Sequence, residues 1–199
     1  FRLVQGDVGC GKTIVAQISM YANQLAGYQS ALLAPTEILA RQHVENMHKL
    51  DLDATLYVSS LPAKEKKEIL MKLENGEILN VVGTHALFQE NVIFNKLGLV
   101  IADEQQRFGV KQRRSLLEKG KCVDFLMMSA TPIPRTYAHF LYGDMDISSI
   151  HTMPAGRKSV VTKYFKTSSM SPVLKDVLKF IEEGRQCYVV CPAIEENDE

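Results

Sequence analysis

A glycine-rich segment near the N-terminus constrains the fold of this chain more strongly than any other part of its sequence. It matches the pattern G-x-x-x-x-G-K-[ST] and consists of Gly6, Asp7, Val8, Gly9, Cys10, Gly11, Lys12 and Thr13. A short apolar run, residues 3–5, comes directly before it. Apolar residues at the spacing of one helix face follow it, at Ile14, Ile18, Tyr21 and Leu25. A strand, a glycine-rich turn and a helix in this order predict a phosphate-binding loop in an α/β protein.

The residue types of this segment suit the binding of ATP phosphates. Glycines allow the backbone to turn successive N–H groups inward around phosphate oxygens, and a helix that begins near Lys12 adds the positive end of its dipole. Lys12 would reach the β- and γ-phosphates, and the Thr13 hydroxyl would bind Mg²⁺. The alternative is a turn that binds no ligand, which the complete motif between a strand and a helix disfavours.

Short apolar segments and longer amphipathic segments alternate along the chain. Strands are predicted at 31–34, 54–58, 80–82, 97–102 and 124–128. Helices are predicted at 36–50 and 62–75. The predicted strands are apolar without alternation, which is typical of parallel strands buried on both faces. The pattern therefore predicts a doubly wound α/β fold, a mostly parallel sheet covered by helices.

A Pro- and Gly-containing stretch at 154–158 separates this region from a second α/β segment. Strands are predicted at 160–165 and 186–191, with a helix between them that ends at Gly184. One βαβ unit of this size is near the lower limit for independent folding. We therefore expect residues 1–153 to form one domain and 159–199 to begin a second. Because the chain lacks an initial Met, we also expect it to be a fragment of a longer protein.

A pair of acids follows the most apolar of the predicted strands. Residues 99–102 lead directly into Asp103 and Glu104. Parallel strands end at one edge of their sheet, so Asp103 and Lys12 can share a crevice. Asp103 would hold Mg²⁺ directly or through water, and Glu104 would orient or deprotonate the attacking water. The alternative is a solvated acidic pair in a loop, which the presence of Lys12 disfavours.

Composition and charge exclude several classes of protein. Lys and Arg number 23, as do Asp and Glu, so no general basic excess indicates nucleic-acid binding, although a local phosphate track is compatible with these counts. No apolar run approaches the roughly 20 residues of a membrane helix. The four cysteines form no C-x-x-C pair, and Cys187 and Cys191 would lie roughly 13 Å apart along a strand. We therefore expect a cytoplasmic protein in a reducing compartment, without a disulfide or a zinc site.

Four short motifs resemble those of superfamily 2 helicases and occur in the same order. Residues 34–37 are similar to motif Ia, 83–85 to motif Ib, 103–106 to the DExx box and 129–131 to motif III. Longer segments resemble the RecG family of branched-DNA helicases, and together they extend over nearly the whole chain. These segments are 6–9 with 11–13, 103–110, 131–136, 141–144, 154–158 and 188–195.

This resemblance implies a motor that hydrolyses ATP with Mg²⁺ to move on duplex DNA, and that drives branch migration and fork regression. Its fold would be two RecA-like lobes with ATP between them. Residues 1–153 would form lobe one, 154–158 a linker and 159–199 the start of lobe two. The partners would be ATP and branched duplex DNA, forks and Holliday junctions, and the protein is expected to be a monomer. The chain lacks the later motifs that supply arginines, so we expect it to bind ATP without unwinding DNA.

The resemblance also assigns roles residue by residue. Lys12, Asp103 and Glu104 would be catalytic, and Thr13 and Asp103 would hold the metal. Residues that would couple the ATP site to DNA are Gln106, Ser129 and Thr131. Residues that would contact DNA are Thr36, Thr84 and Arg135. RecG relatives usually carry His at the position of Gln106, so the coupling is expected to be retuned rather than lost. They usually carry Ser at the position of Cys10, a milder change because this position contributes mainly its backbone.

Three alternatives differ from this interpretation. A translocase of the Mfd family shares the elements at 103–105, 107–110 and 131–136, but residues 34–37 and 155–158 look more like RecG. A second alternative is a nucleotide-gated scaffold that binds ATP but turns it over weakly or not at all. Gln106, at a position where RecG relatives usually carry His, suggests this alternative. A small-molecule kinase is less compatible, because a kinase needs neither the motif at 129–131 nor a second α/β lobe.

Overall fold

The computed structural model describes residues 1–103, 116–130, 145–152, 160–162, 164 and 171–190. Two compact units divide the chain, Phe1–Gly156 and Arg157–Glu199. In the first unit, strands alternate with helices for most of its length. The strands are β1 (Arg2–Gly6), β2 (Gln29–Leu33), β3 (Thr55–Tyr57), β4 (Asn80–Gly83), β5 (Leu97–Asp103), β6 (Asp124–Ser129) and β7 (Asp146–Ile150). The helices are α1 (Lys12–Leu25), α2 (Glu37–His48), α3 (Ala63–Asn75) and a 3₁₀ helix (His85–Phe88).

The seven strands form one sheet in the order β3-β4-β2-β5-β6-β1-β7, and every described pair is parallel. In the register of this sheet, Asp103 lies opposite Met128, and Ser129 lies opposite Gln5. The carboxyl ends of β5, β6 and β1 therefore lie side by side at one edge. The predicted α/β fold with a parallel sheet is confirmed.

Apolar side chains cover both faces of the sheet. On one face, α1 and α2 contribute Ala16, Met20, Ala40 and Met47 to the core. On the other face, α3 and the 3₁₀ helix contribute Leu73 and Leu87. Within β5, successive residues of 99–102 join opposite cores, which explains why all four are apolar.

The apolar spacing in residues 14–25 predicts a helix, and α1 is present, but a different face packs against the sheet. Ala16, Gln17 and Met20 are buried. The four apolar residues of the predicted stripe are exposed, namely Ile14, Ile18, Tyr21 and Leu25. Periodicity reveals that a helix is amphipathic, but it does not reveal which face another element covers.

Strand β7 has no counterpart among the predicted elements. It pairs with β1 at the edge of the sheet, with Gly6 opposite Ile150. Its sequence, Asp-Ile-Ser-Ser-Ile, has little apolar character. An edge strand is covered less than a central one, so its composition carries only a weak signal.

In the second unit, the predicted helix is present as α4 (Ser171–Glu182). Strands are also predicted at 160–165 and 186–191. The described residues of these segments, 160–162, 164 and 186–190, have no strand conformation, so the prediction is wrong for them. Val161 and Val190 are exposed. β-branched composition favours a strand only where a neighbouring strand supplies hydrogen bonds and packing.

No helix within the described ranges is long and apolar enough to cross a membrane.

A buried glutamine connects three elements at the amino edge of the sheet. The Gln29 side-chain amide donates to the carbonyl oxygens of Leu73 and Ile78, both at 2.8 Å. Its carbonyl oxygen accepts from the backbone N–H of Lys96 at 2.9 Å. Gln29 is 1% exposed, so these contacts are shielded from water. They fix the end of α3 and the start of β5 to β2.

Replacing Gln29 by leucine should destabilise the fold. Gln29→Leu removes the three hydrogen bonds of this buried side chain, to two carbonyl oxygens and one N–H, at an expected cost of about 2–3 kcal/mol in the free energy of unfolding. Urea unfolding followed by circular dichroism measures this cost. Gln42→Leu, at an exposed position of α2, is the matched control and should change stability by less than about 0.5 kcal/mol. Equal stability of the two variants would contradict the structural role of Gln29.

Candidate nucleotide-binding site

The glycine-rich segment forms a turn that only glycine adopts readily at two of its positions. Gly9 has φ 79° and Gly11 has φ 100°, in the left-handed region that side chains with a Cβ atom disfavour. Gly11 is also the N-cap of α1, and no side chain caps this helix end. The N–H groups of the first turn therefore suit an anion, as at other uncapped helix N-termini.

The start of the turn is crowded in a way that also selects glycine. A Cβ atom on Gly6 would lie 2.5 Å from the Cys10 sulfur and 3.1 Å from the Ile150 side chain. Residue 6 therefore has no room for a larger side chain while β1, β7 and the loop keep their positions.

Backbone carbonyl oxygens of the glycine-rich loop hold the Lys12 side chain against the loop. The Lys12 ammonium donates to the carbonyl oxygens of Gly6 at 2.7 Å and of Asp7 at 2.9 Å. A phosphate oxygen that bound this ammonium would compete with these two neutral acceptors. An anionic acceptor forms the stronger hydrogen bond, so the arrangement is compatible with phosphate binding.

A cavity of about 440 Å³ brings the loop and Asp103 together. Its lining residues are Gly9, Gly11, Lys12, Thr13, Ile14, Gln17, Asn46, Lys49, Leu50 and Asp103. The crevice predicted to contain both Lys12 and Asp103 is therefore present. Asn46 lies in the last turn of α2, and Lys49 and Leu50 directly follow this helix. Sequence reasoning missed these three residues because no motif marks them.

The donors in this cavity fit Mg²⁺. Thr13 offers a hydroxyl oxygen and Asp103 a carboxylate, and Mg²⁺ prefers such hard oxygen ligands. Among the described residues, no group of three or more His, Cys, Asp or Glu side chains could hold a metal alone. Mg²⁺ does not require such a cage, since it is usually held by one or two protein ligands together with substrate phosphates and water.

Asp103 has a buried neighbour that sequence reasoning also missed. The His43 Nε2 atom lies 2.9 Å from the Asp103 Oδ2 atom. The two side chains are 8% and 19% exposed. On α2, His43 lies on the buried face with Ala40 and Met47, so the signal was a histidine at a core position of an amphipathic helix.

The residues predicted to couple ATP to DNA are only partly described. Ser129 ends β6, between the strands that carry the loop and Asp103, and is buried. Glu104, Gln106, Thr131 and Arg135 lie outside the described residues.

The two described candidates for DNA contact differ in accessibility. Thr36 is exposed and caps α2, since its hydroxyl accepts from the Leu39 N–H at 3.3 Å. The following residue, Glu37, accepts a hydrogen bond from the Ser60 hydroxyl, and this bond lowers the pKa of the Glu37 carboxyl. Thr84 is 3% exposed, and its hydroxyl has no hydrogen-bond partner within the described part of the chain. A phosphate would reach the Thr84 hydroxyl only after local movement, so this predicted contact remains a prediction.

Comparison with known proteins identifies relatives over nearly the whole chain. Residues 2–140 match the DEAD/DEAH box helicase family. The ATP-dependent DNA helicase RecG of Staphylococcus aureus is 51% identical over 200 residues, which cover 99% of this chain and 29% of the relative. RecG of Bacillus subtilis is 52% identical over 201 residues, which cover 99% of this chain and 30% of the relative. The chain thus spans less than a third of the length of these curated relatives.

Solved structures agree with these sequence matches. The structure of RecG bound to a three-way DNA junction has a TM-score of 0.77 and 45% identity, and the match covers 97% of this chain and 26% of that one. The Pyrococcus furiosus Hef helicase domain, with a TM-score of 0.58 and 18% identity over 75% of this chain and 35% of that one, shares the fold. The resemblance to RecG is confirmed, and the chain belongs to the DEAD/DEAH box helicase family.

Proposed function

We propose that this chain is the ATP-binding part of a RecG-like motor that couples ATP hydrolysis to movement on branched DNA. The observation that carries the proposal is the cavity in which the glycine-rich loop, Lys12, Thr13 and Asp103 meet. A phosphate cradle and an acid at the end of another parallel strand of the same sheet are the two halves of a nucleotide hydrolysis site. The relatives are named ATP-dependent DNA helicases, which supports ATP-driven action on DNA as the class of reaction.

In this proposal, the residues that line the cavity bind both the phosphates and the metal. The backbone of residues 6–13 and the start of α1 surround the phosphates, and Lys12 exchanges its carbonyl partners for phosphate oxygens. Thr13 and Asp103 would hold Mg²⁺, which would supply positive charge to stabilise the transferring phosphoryl group. Glu104 orients or deprotonates the water that attacks it.

We propose that the partner of the full-length protein is branched duplex DNA, on which it drives branch migration and fork regression. The solved relative was bound to a three-way DNA junction. Thr36, Thr84 and Arg135 are the proposed contacts to DNA phosphates, which position the protein without reading sequence. Gln106, Ser129 and Thr131 are proposed to transmit the nucleotide state. A DNA-acting enzyme of this kind is consistent with the cytoplasmic location expected from the cysteines.

The domain assignment completes the proposal. Residues 1–153 form lobe one, 154–158 the linker and 159–199 the start of lobe two. The arginines of the second lobe would stabilise the transition state, and such a residue contributes about 10³–10⁵ in rate. The chain alone is therefore expected to bind ATP but not to unwind DNA.

Removing the Lys12 ammonium should weaken ATP binding by the chain. Lys12→Ala removes charge-assisted hydrogen bonds to phosphate, and an affinity loss of about 10- to 100-fold is expected. Calorimetric titration with Mg-ATP measures it. Lys49→Ala is the matched control, because Lys49 lines the same cavity from the end of α2; it should bind nearly as wild type. Equal losses in both variants would indicate a general effect of positive charge and contradict the specific role of Lys12.

The motor function predicts that the full-length protein hydrolyses ATP faster with a three-way junction than with linear duplex. Asp103→Asn should lower this rate on the order of 10³-fold, because a catalytic metal contributes several kcal/mol. A phosphate-release assay measures both effects. A full-length protein that binds ATP and shows no stimulation by DNA would favour the nucleotide-gated scaffold. Equal stimulation by linear and branched duplex would favour a translocase of the Mfd type.

A further inference from the structure

The contact between α2 and the end of β5 adds a residue to the candidate site. We propose that His43 is a positioning residue for Asp103, and that it orients this carboxylate for Mg²⁺ by donating a hydrogen bond from Nε2 to Oδ2. The inference rests on the proposed function, in which Asp103 holds the metal. No helicase motif considered above includes His43.

The geometry supports a directional and shielded hydrogen bond. The Nε2 to Oδ2 distance is 2.9 Å, and both side chains are largely buried. Hydrogen bonds between an N–H group and a carboxylate have this length. Because His43 is packed in the α2 core face, its ring has little freedom to turn away, and the carboxylate is held in one orientation.

The contact gives the two carboxylate oxygens of Asp103 different roles. Oδ2 accepts from the imidazole, which leaves Oδ1 as the oxygen available to the ion or to its bound water. Residues that hold metal ligands in this way raise metal affinity because the ligand does not have to be ordered when the ion binds. A neutral imidazole performs this role when Nε2 carries the proton, so the mechanism requires no change of charge.

The position of His43 is also specific within its helix. His48 lies on the same helix, but its Nε2 atom contacts the Ala54 carbonyl oxygen at 3.1 Å, and its side chain is 53% exposed. Among the described residues, His43 is the histidine in hydrogen-bond contact with Asp103. His48 therefore provides a matched control for the loss of a histidine from α2.

The test measures metal affinity in the full-length protein bound to ADP, with Mn²⁺ as the probe and electron paramagnetic resonance as the readout. His43→Leu should weaken Mn²⁺ binding by about 10-fold or more, with ADP affinity in EDTA unchanged. His43→Gln retains a donor near the Nε2 position and should bind Mn²⁺ within about threefold of wild type. His48→Leu should bind Mn²⁺ like wild type.

A second readout separates positioning from a general loss of structure. For His43→Leu, the Mg²⁺ concentration for half-maximal ATP hydrolysis should rise, and high Mg²⁺ should restore much of the rate. If His43→Leu does not fold, as judged by its melting curve, His43→Gln is compared with His43→Asn, whose shorter amide does not reach Oδ2. Wild-type metal affinity in folded His43→Leu, or in folded His43→Asn, would overturn the proposal. It would also be overturned if His43→Gln lost as much metal affinity as His43→Leu or His43→Asn.

The Asp103→Asn variant distinguishes this inference from the proposed function. If Asp103→Asn binds Mn²⁺ with wild-type affinity, the metal site itself is wrong and the role of His43 fails with it. If Asp103→Asn loses the metal and His43→Leu keeps it, the metal site stands and only the positioning role is overturned. Loss in both variants, with retention in His43→Gln, supports both.

Discussion

The parallel pairing of β5, β6 and β1 is the constraint on which the candidate site depends. It places the carboxyl ends of these strands side by side, so that the loop after β1 and the acid at the end of β5 line one cavity. The sheet can hold this register because its central strands are apolar on both faces and helices cover each side. Any shift by one residue would turn core side chains toward the wrong layer.

Contacts within the protein hold the glycine-rich loop and the Lys12 side chain together. Positive φ angles at Gly9 and Gly11 and the crowding around Gly6 favour glycine at these three positions of the loop. The Lys12 ammonium already lies at the loop, bound to carbonyl oxygens that a phosphate can replace.

Buried polar side chains connect the helices to both ends of the sheet. Gln29 joins β2 to the end of α3 and the start of β5 at the amino edge. His43 joins α2 to the end of β5 at the carboxyl edge. The N-terminus of the same helix is fixed by the Thr36 cap and by the contact between Glu37 and Ser60. Helix α2 thus links an exposed surface that includes Thr36 with the acid of the cavity.

Local sequence determined the glycine-rich loop, most strands of the first unit and the position of Asp103 after a buried strand. These features are encoded by neighbouring residues: glycine where φ is positive, apolar runs where both faces are covered, and the end of a run where a strand stops. Only the tertiary structure decided which face of α1 packs on the sheet, that the polar segment β7 pairs with β1, that the Thr84 hydroxyl is buried, and that His43 meets Asp103. Each of these depends on contacts between segments far apart in the chain, and the composition of one segment does not specify its distant partner.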